Sequence, residues 1–76
     1  MPHVIVKLVS GRSEQQKASI AEAITKAVMA SASCAEASVS VAIEDVEPSE
    51  WAENVYKSDI AGRWDTLYKK PGYNPL

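Results

Sequence analysis

From residue 3 to residue 16 the chain reads His-Val-Ile-Val-Lys-Leu-Val-Ser-Gly-Arg-Ser-Glu-Gln-Gln. Over residues 3–9, Val4, Val6 and Leu8 point one way and His3, Ile5, Lys7 and Val9 the other, which is the two-residue repeat of a β-strand. Both faces carry apolar residues, so the strand expects cover on each side, as strands of parallel sheets do. Gly11-Arg12-Ser13 then makes a turn, and Ser13 with Gln16 has the capping-box spacing that starts a helix. Ile20, Ala21, Ile24, Ala27 and Val28 recur at helical spacing on one face, with Glu22 and Lys26 as an i,i+4 pair on the other. This helix runs out among Ser31, Ala32 and Ser33. Alternation returns over residues 38–44, with Val39, Val41 and Ile43 against Ser38, Ser40, Ala42 and Glu44. A strand, a helix of about 18 residues and a second strand make a βαβ unit, whose strands lie parallel with a right-handed crossover.

The last 30 or so residues, beyond the second strand, differ in texture. Pro48 suits the first position of a helix, and Trp51 and Val55 share a face, which predicts a short helix over about 48–56. A second is predicted from Asp59 as cap, with Ile60, Trp64, Leu67 and Tyr68 in register and Gly62 weakening it. Lys69 and Lys70 would fall in its last turn, where the helix dipole favours cations, and Pro71-Gly72 would stop it. The tail from Pro71 to Leu76 reads as extended. The fold expected is α/β (α+β): two parallel strands, one long helix and short C-terminal helices, in a single domain over residues 1–76.

At 76 residues the chain is small, and a domain of this size buries only about 60% of the surface its unfolded chain exposes. Disulfides, metals or oligomerisation usually make up the difference. With one cysteine, Cys34, no internal disulfide can form, and a lone thiol suits a reducing cytoplasm. With one histidine, His3, a zinc site built from histidine and cysteine would have too few ligands, so no metal is expected. Self-association remains: two strands and one helix leave a sheet face and both edges open, so the sheet is expected to be completed by another copy. A net charge of −2 with dispersed lysines and arginines gives no footprint for nucleic acid. Neither a leader segment nor a membrane-spanning apolar run is read in the chain, which predicts a soluble, cytoplasmic protein.

Conventional catalytic sets are thin. A triad or a cysteine–histidine dyad would have to use His3, no nucleophile elbow occurs, and Gly11, Gly62 and Gly72 stand too far apart to cradle a phosphate. Cys34 reads as a spectator thiol and His3 as a sheet residue with a satisfied hydrogen bond. Pro2 is different. A small second residue permits removal of Met1, which would leave Pro2 with a free secondary amine held rigidly at the start of a strand. An α-amino group titrates at about 7.7–8.0, and burial or a neighbouring cation lowers an amine further, so such a group suits general base work near neutral pH.

Pro2, the strand His3 to Val9, the turn Gly11-Arg12-Ser13 with Glu14-Gln15-Gln16-Lys17, the long helix and the strand Ser38 to Ile43 together resemble the 4-oxalocrotonate tautomerase family. The likeness covers residues 2 to about 53. Pro48 to Trp51 and Lys69-Lys70-Pro71-Gly72-Tyr73 are similar to a longer, PptA-like subgroup. The resemblance implies a cofactor-independent keto-enol tautomerase in which Pro2 is the general base and Arg12 binds the substrate carboxylate. It places Trp51 as an aromatic wall. Ser40 stands where the founding enzymes carry a second arginine for a diacid, which implies a substrate with one carboxylate and an apolar tail, such as a phenylpyruvate-type enol.

Two alternatives stand beside this. A related dehalogenase subgroup places a water-activating glutamate where Glu53 lies, which would make the protein a hydratase or dehalogenase of unsaturated acids; the plainer role for Glu53 is an i,i+4 pair with Lys57. The other alternative is a non-catalytic βαβ oligomerisation module in which Pro2 is structural or blocked, since with Met1 attached Pro2 is a tertiary amide and cannot act as base. The expected partners are a small carboxylate and further copies of the chain. The longer subgroup implies a dimer and the founding enzymes a hexamer.

Overall fold

Strand β1 (His3–Val9) opens the fold, and helix α1 (Glu14–Ala32) follows the turn at Gly11. A short 3₁₀ turn (Glu36–Ser38) leads into β2 (Ser40–Val46), which pairs with β1 in a two-stranded parallel sheet. The computed structural model describes residues 1–76, and the chain forms two units, Met1–Asp45 and Val46–Leu76.

In the first unit, α1 begins as the sequence predicts. The Gln16 amide donates to Ser13 Oγ at 3.1 Å and the Ser13 amide donates to Gln16 Oε1 at 2.8 Å, so both halves of the capping box are made. Ser33 ends the helix in the left-handed region at φ 53°, and the Cys34 amide donates to the Met29 carbonyl at 3.3 Å. The half-buried face of α1 is Lys17, Ile20, Ala21, Ile24, Thr25, Val28 and Met29. Ala27, expected on this stripe, is exposed. A helix turns 100° per residue, so the i,i+4 series from 17, 21 and 25 drifts to include Met29 and leaves 27 on the flank. Thr25, a polar member of the stripe, satisfies its hydroxyl by donating to the Ala21 carbonyl at 2.8 Å. Glu22 and Lys26 pair at 3.0 Å on the opposite face.

The second strand starts two residues later than the alternation suggests, because Glu36–Ser38 close a 3₁₀ turn in which the Ser38 and Val39 amides bond the Ala35 and Glu36 carbonyls. No residue of β1, α1 or β2 is buried. Val4 and Val6 are half-buried while His3 is exposed and Ile5 keeps 53% of its surface in water. Covering an isoleucine contributes about 1.5–3 kcal/mol. An open two-stranded sheet with such a residue on its free face is one that association completes.

The second unit departs from the prediction of two separate helices. Pro48–Trp51 form one α-helical turn, α2, which widens into π-helical turns over Ala52–Ile60 and tightens to 3₁₀ over Ala61–Thr66. Asp59 is no cap: it lies inside the helical run. Gly62 permits this packing, since a Cβ there would meet the Lys57 carbonyl oxygen at 3.0 Å. The run ends early because Arg63 leaves helical geometry at φ −131° and ψ 30° and Leu67 is extended. Lys69 and Lys70 therefore lie beyond the helix and not in its last turn. Lys70 instead places Nζ 5.6 Å from the Trp64 ring centroid, exchanging a dipole contact for a cation–π contact. Val55 and Tyr56 are the two buried side chains of the chain, and Tyr56 meets Tyr73 of the tail at 5.5 Å between ring centroids. No helix is long and apolar enough to cross a membrane.

Candidate active site

Pro2 is half-buried at the mouth of β1, and Met1 ahead of it is fully exposed. While methionine is attached, the proline nitrogen is a tertiary amide without a lone pair to act as base; removing it leaves a secondary amine. The Pro2 carbonyl is fixed, accepting a hydrogen bond from the Ser40 amide at 3.2 Å. Ser40 also reaches the neighbouring residue: its Oγ lies 2.6 Å from His3 Nδ1. The start of β2 thus holds residues 2 and 3 at once. His3 has the satisfied hydrogen bond the sequence suggests, but its partner lies 37 positions away and no local pattern foretells it.

Arg12 sits at the other end of β1. Its guanidinium donates to the Val9 carbonyl at 3.0 Å, which folds the side chain back over the strand end. Gly11 sets this up with φ 126°, a conformation that side chains rarely tolerate. β1 has seven residues, so at about 3.3 Å per residue roughly 20 Å of strand separates Pro2 from Arg12. A small acid cannot touch both in one chain.

Behind the strands, Lys17 reaches from α1 to Asp45 of β2 at 2.9 Å and to Glu14 at 3.1 Å. Asp45 first, then Glu14, hold the Lys17 ammonium above its ordinary 10.5. This triad ties helix to sheet and borders a shallow groove with Ala18, Ala21 and Ile43.

In the second unit, Trp51 is half-buried and its indole N–H donates to the Tyr73 hydroxyl at 2.8 Å. Tyr73 belongs to the segment that resembles the longer subgroup, but its pairing with Trp51 is not evident from sequence; a half-buried indole requires an acceptor and the tail supplies it. Glu53 is exposed and pairs with Lys57 at 3.5 Å. Cys34 is half-buried, with Sγ 3.8 Å from the Val28 carbonyl.

Comparison with known proteins bears directly on this arrangement. The family model described as tautomerase enzyme matches residues 2–57, which takes in Pro2, the whole βαβ unit and Trp51. The chain belongs to the tautomerase family. It is 40% identical over 76 residues to a probable tautomerase of Xylella fastidiosa, covering all of this chain and 93% of that protein. It is 38% identical over 74 residues to Tautomerase PptA of Cronobacter sakazakii, covering 96% of this chain and 97% of that one. Among solved structures, TomN, a 4-oxalocrotonate tautomerase homologue of the tomaymycin biosynthetic pathway, matches with a TM-score of 0.64 at 34% identity over 66% of this chain and 77% of its own. YwhB, another 4-oxalocrotonate tautomerase homologue, gives 0.65 at 32% identity over 78% and 98%. This tautomerase is therefore an isomerase, and the curated relatives extend the likeness through its C-terminal unit.

Proposed function

We propose that the enzyme interconverts the enol and keto forms of a small 2-keto carboxylic acid of phenylpyruvate type, with Pro2 as general base once Met1 is removed. The observation that carries this reading is the fixation of Pro2: its carbonyl is bonded to Ser40 at the strand start, so the amine of a processed chain has a defined position. The amine takes the proton from the enol hydroxyl; the oxygen–hydrogen electron pair forms the carbonyl, and the π pair of the carbon–carbon double bond takes the proton back from the ammonium at C3, forming the new carbon–hydrogen bond. Arg12 holds the carboxylate with its planar fork, in the ground state and in the transition state alike. Trp51 forms the apolar wall against the substrate ring, and neutral Ser40 leaves no second cation for a diacid. No cofactor enters, since the conjugated carbonyl is itself the electron sink.

The separation of Pro2 from Arg12 along β1 supports a site that takes Pro2 from one subunit and Arg12 from another. The enzyme in this reading is a homodimer, the hexamer of the founding enzymes being the alternative, and it works in the cytoplasm, where a lone Cys34 thiol stays reduced. Glu53 takes no part in the step. The test is the rate of phenylenolpyruvate ketonisation in wild type and Pro2→Ala, with an intact mass to establish the processed start. Loss of methionine and a fall of at least 100-fold are expected; equal rates would rule out proline as the base.

A further inference from the structure

The proposed base has no side-chain acid or base to orient it, so its alignment depends on what grips the first residues of β1. Ser40 does this twice. Its amide donates to the Pro2 carbonyl at 3.2 Å, and its hydroxyl oxygen lies 2.6 Å from Nδ1 of His3. The two contacts come from one residue of β2 to two consecutive residues of β1, one through main chain and one through side chains. Ser40 and His3 are both exposed, so the pair is not part of a packed core. A strand end without such a grip frays. An amine one residue from a fraying end loses the near-attack geometry on which proton transfer depends, and a misplacement of about 1 Å can cost 100-fold.

We infer that His3 and Ser40 form a positioning pair that aligns the Pro2 amine, His3 acting through Nδ1 and Ser40 and not through contact with substrate. In the neutral ring with its hydrogen on Nε2, the Ser40 hydroxyl donates to Nδ1; in the other tautomer, and in the charged ring, Nδ1–H donates to Ser40 Oγ. The bond is thus available in every protonation state. This inference rests on Pro2 being the base, and it adds two residues whose effect on the rate is indirect.

The geometry of the ring supplies the test. An asparagine at position 3 places a polar atom near the site of Nδ1, and a glutamine places one near Nε2. We expect Ser40→Ala and His3→Leu to lower kcat for phenylenolpyruvate about tenfold to 100-fold with KM within about twofold of wild type. Ser40→Thr, which keeps the hydroxyl on a strand-forming residue, and His3→Asn should recover most of the rate. Hydrogen exchange at the Ser40 amide, read without any substrate, should speed up in Ser40→Ala and His3→Leu and stay slow in His3→Asn. Recovery by His3→Gln but not His3→Asn would overturn the inference, because Nε2 would then be the working atom. Wild-type kcat and exchange in Ser40→Ala would overturn it as well. Pro2→Ala, run alongside, separates the two levels. An inactive Pro2→Ala with a fully active Ser40→Ala removes only the positioning pair, whereas an active Pro2→Ala removes the base and the pair together.

Discussion

Pro2 and Arg12 stand at opposite ends of the same seven-residue strand, each tied to backbone: Pro2 by the Ser40 amide, Arg12 by the Val9 carbonyl. Roughly 20 Å of strand separates them. No residue of the βαβ unit is buried, and in the proposed reading its base and carboxylate clamp are brought together by association.

Arg12 is predicted to act on binding more than on turnover. Hydrogen bonds to a charged group contribute about 1.5–3 kcal/mol, so Arg12→Ala should raise KM for a 2-keto acid enol about tenfold to 100-fold. Arg12→Lys keeps the charge without the fork and should recover only part of this loss. Steady-state kinetics checks it; an unchanged KM in Arg12→Ala would mean that the carboxylate binds elsewhere.

Gly11 should prove necessary for backbone reasons alone. Nothing lies within 4 Å of an added Cβ, so Gly11→Ala meets no clash, yet φ 126° is strained for any side chain. A loss of about 1–3 kcal/mol in unfolding free energy is expected. Denaturant titration at fixed protein concentration would measure it, and a neutral result would contradict the assigned geometry.

Ser33 offers the opposite change. It occupies the left-handed position after α1 at φ 53°, where glycine carries no penalty. Ser33→Gly should therefore stabilise the protein by about 1 kcal/mol, and a lower denaturation midpoint would count against this ending of the helix.

The Lys17 contacts have a pH signature. Asp45 and Glu14 raise the folded-state value of Lys17 above 10.5, so the charged form is favoured by folding. The resulting stability is fully present below pH 10.5 and is lost as pH rises through the folded value. Lys17→Met should consequently be less stable than wild type at neutral pH, with the gap closing in strong alkali. A gap that stays constant to the alkaline limit would show that the loss comes from packing of the lysine stem.

The βαβ unit was legible in the sequence because its signals are local. Alternation marks β1, the Ser13 and Gln16 spacing marks the start of α1, and both are realised in hydrogen bonds. The C-terminal half was harder. Asp59 and Gly62 look like helix punctuation, but the π-helical widening over Ala52–Ile60 depends on i,i+5 geometry that residue type does not encode, and it carries the run past both. Pro2 and Arg12 were legible as candidate residues; their separation follows only from the extended strand between them. The His3 link to Ser40 and the Trp51 link to Tyr73 span 37 and 22 positions, and contacts of that range are set by the completed fold.

The shared site is tested most directly by mixing two impaired variants and assaying them at substrate well below the wild-type KM, where a loss of binding lowers the rate. Pro2→Ala subunits retain Arg12 and Arg12→Ala subunits retain Pro2, so unfolding them together and refolding at equal amounts creates sites that combine the two intact residues. If each site draws its proline and its arginine from different subunits, random assembly gives about a quarter of wild-type activity in either a dimer or a hexamer. Activity no greater than the mean of the two variants refolded separately would contradict a site built across subunits.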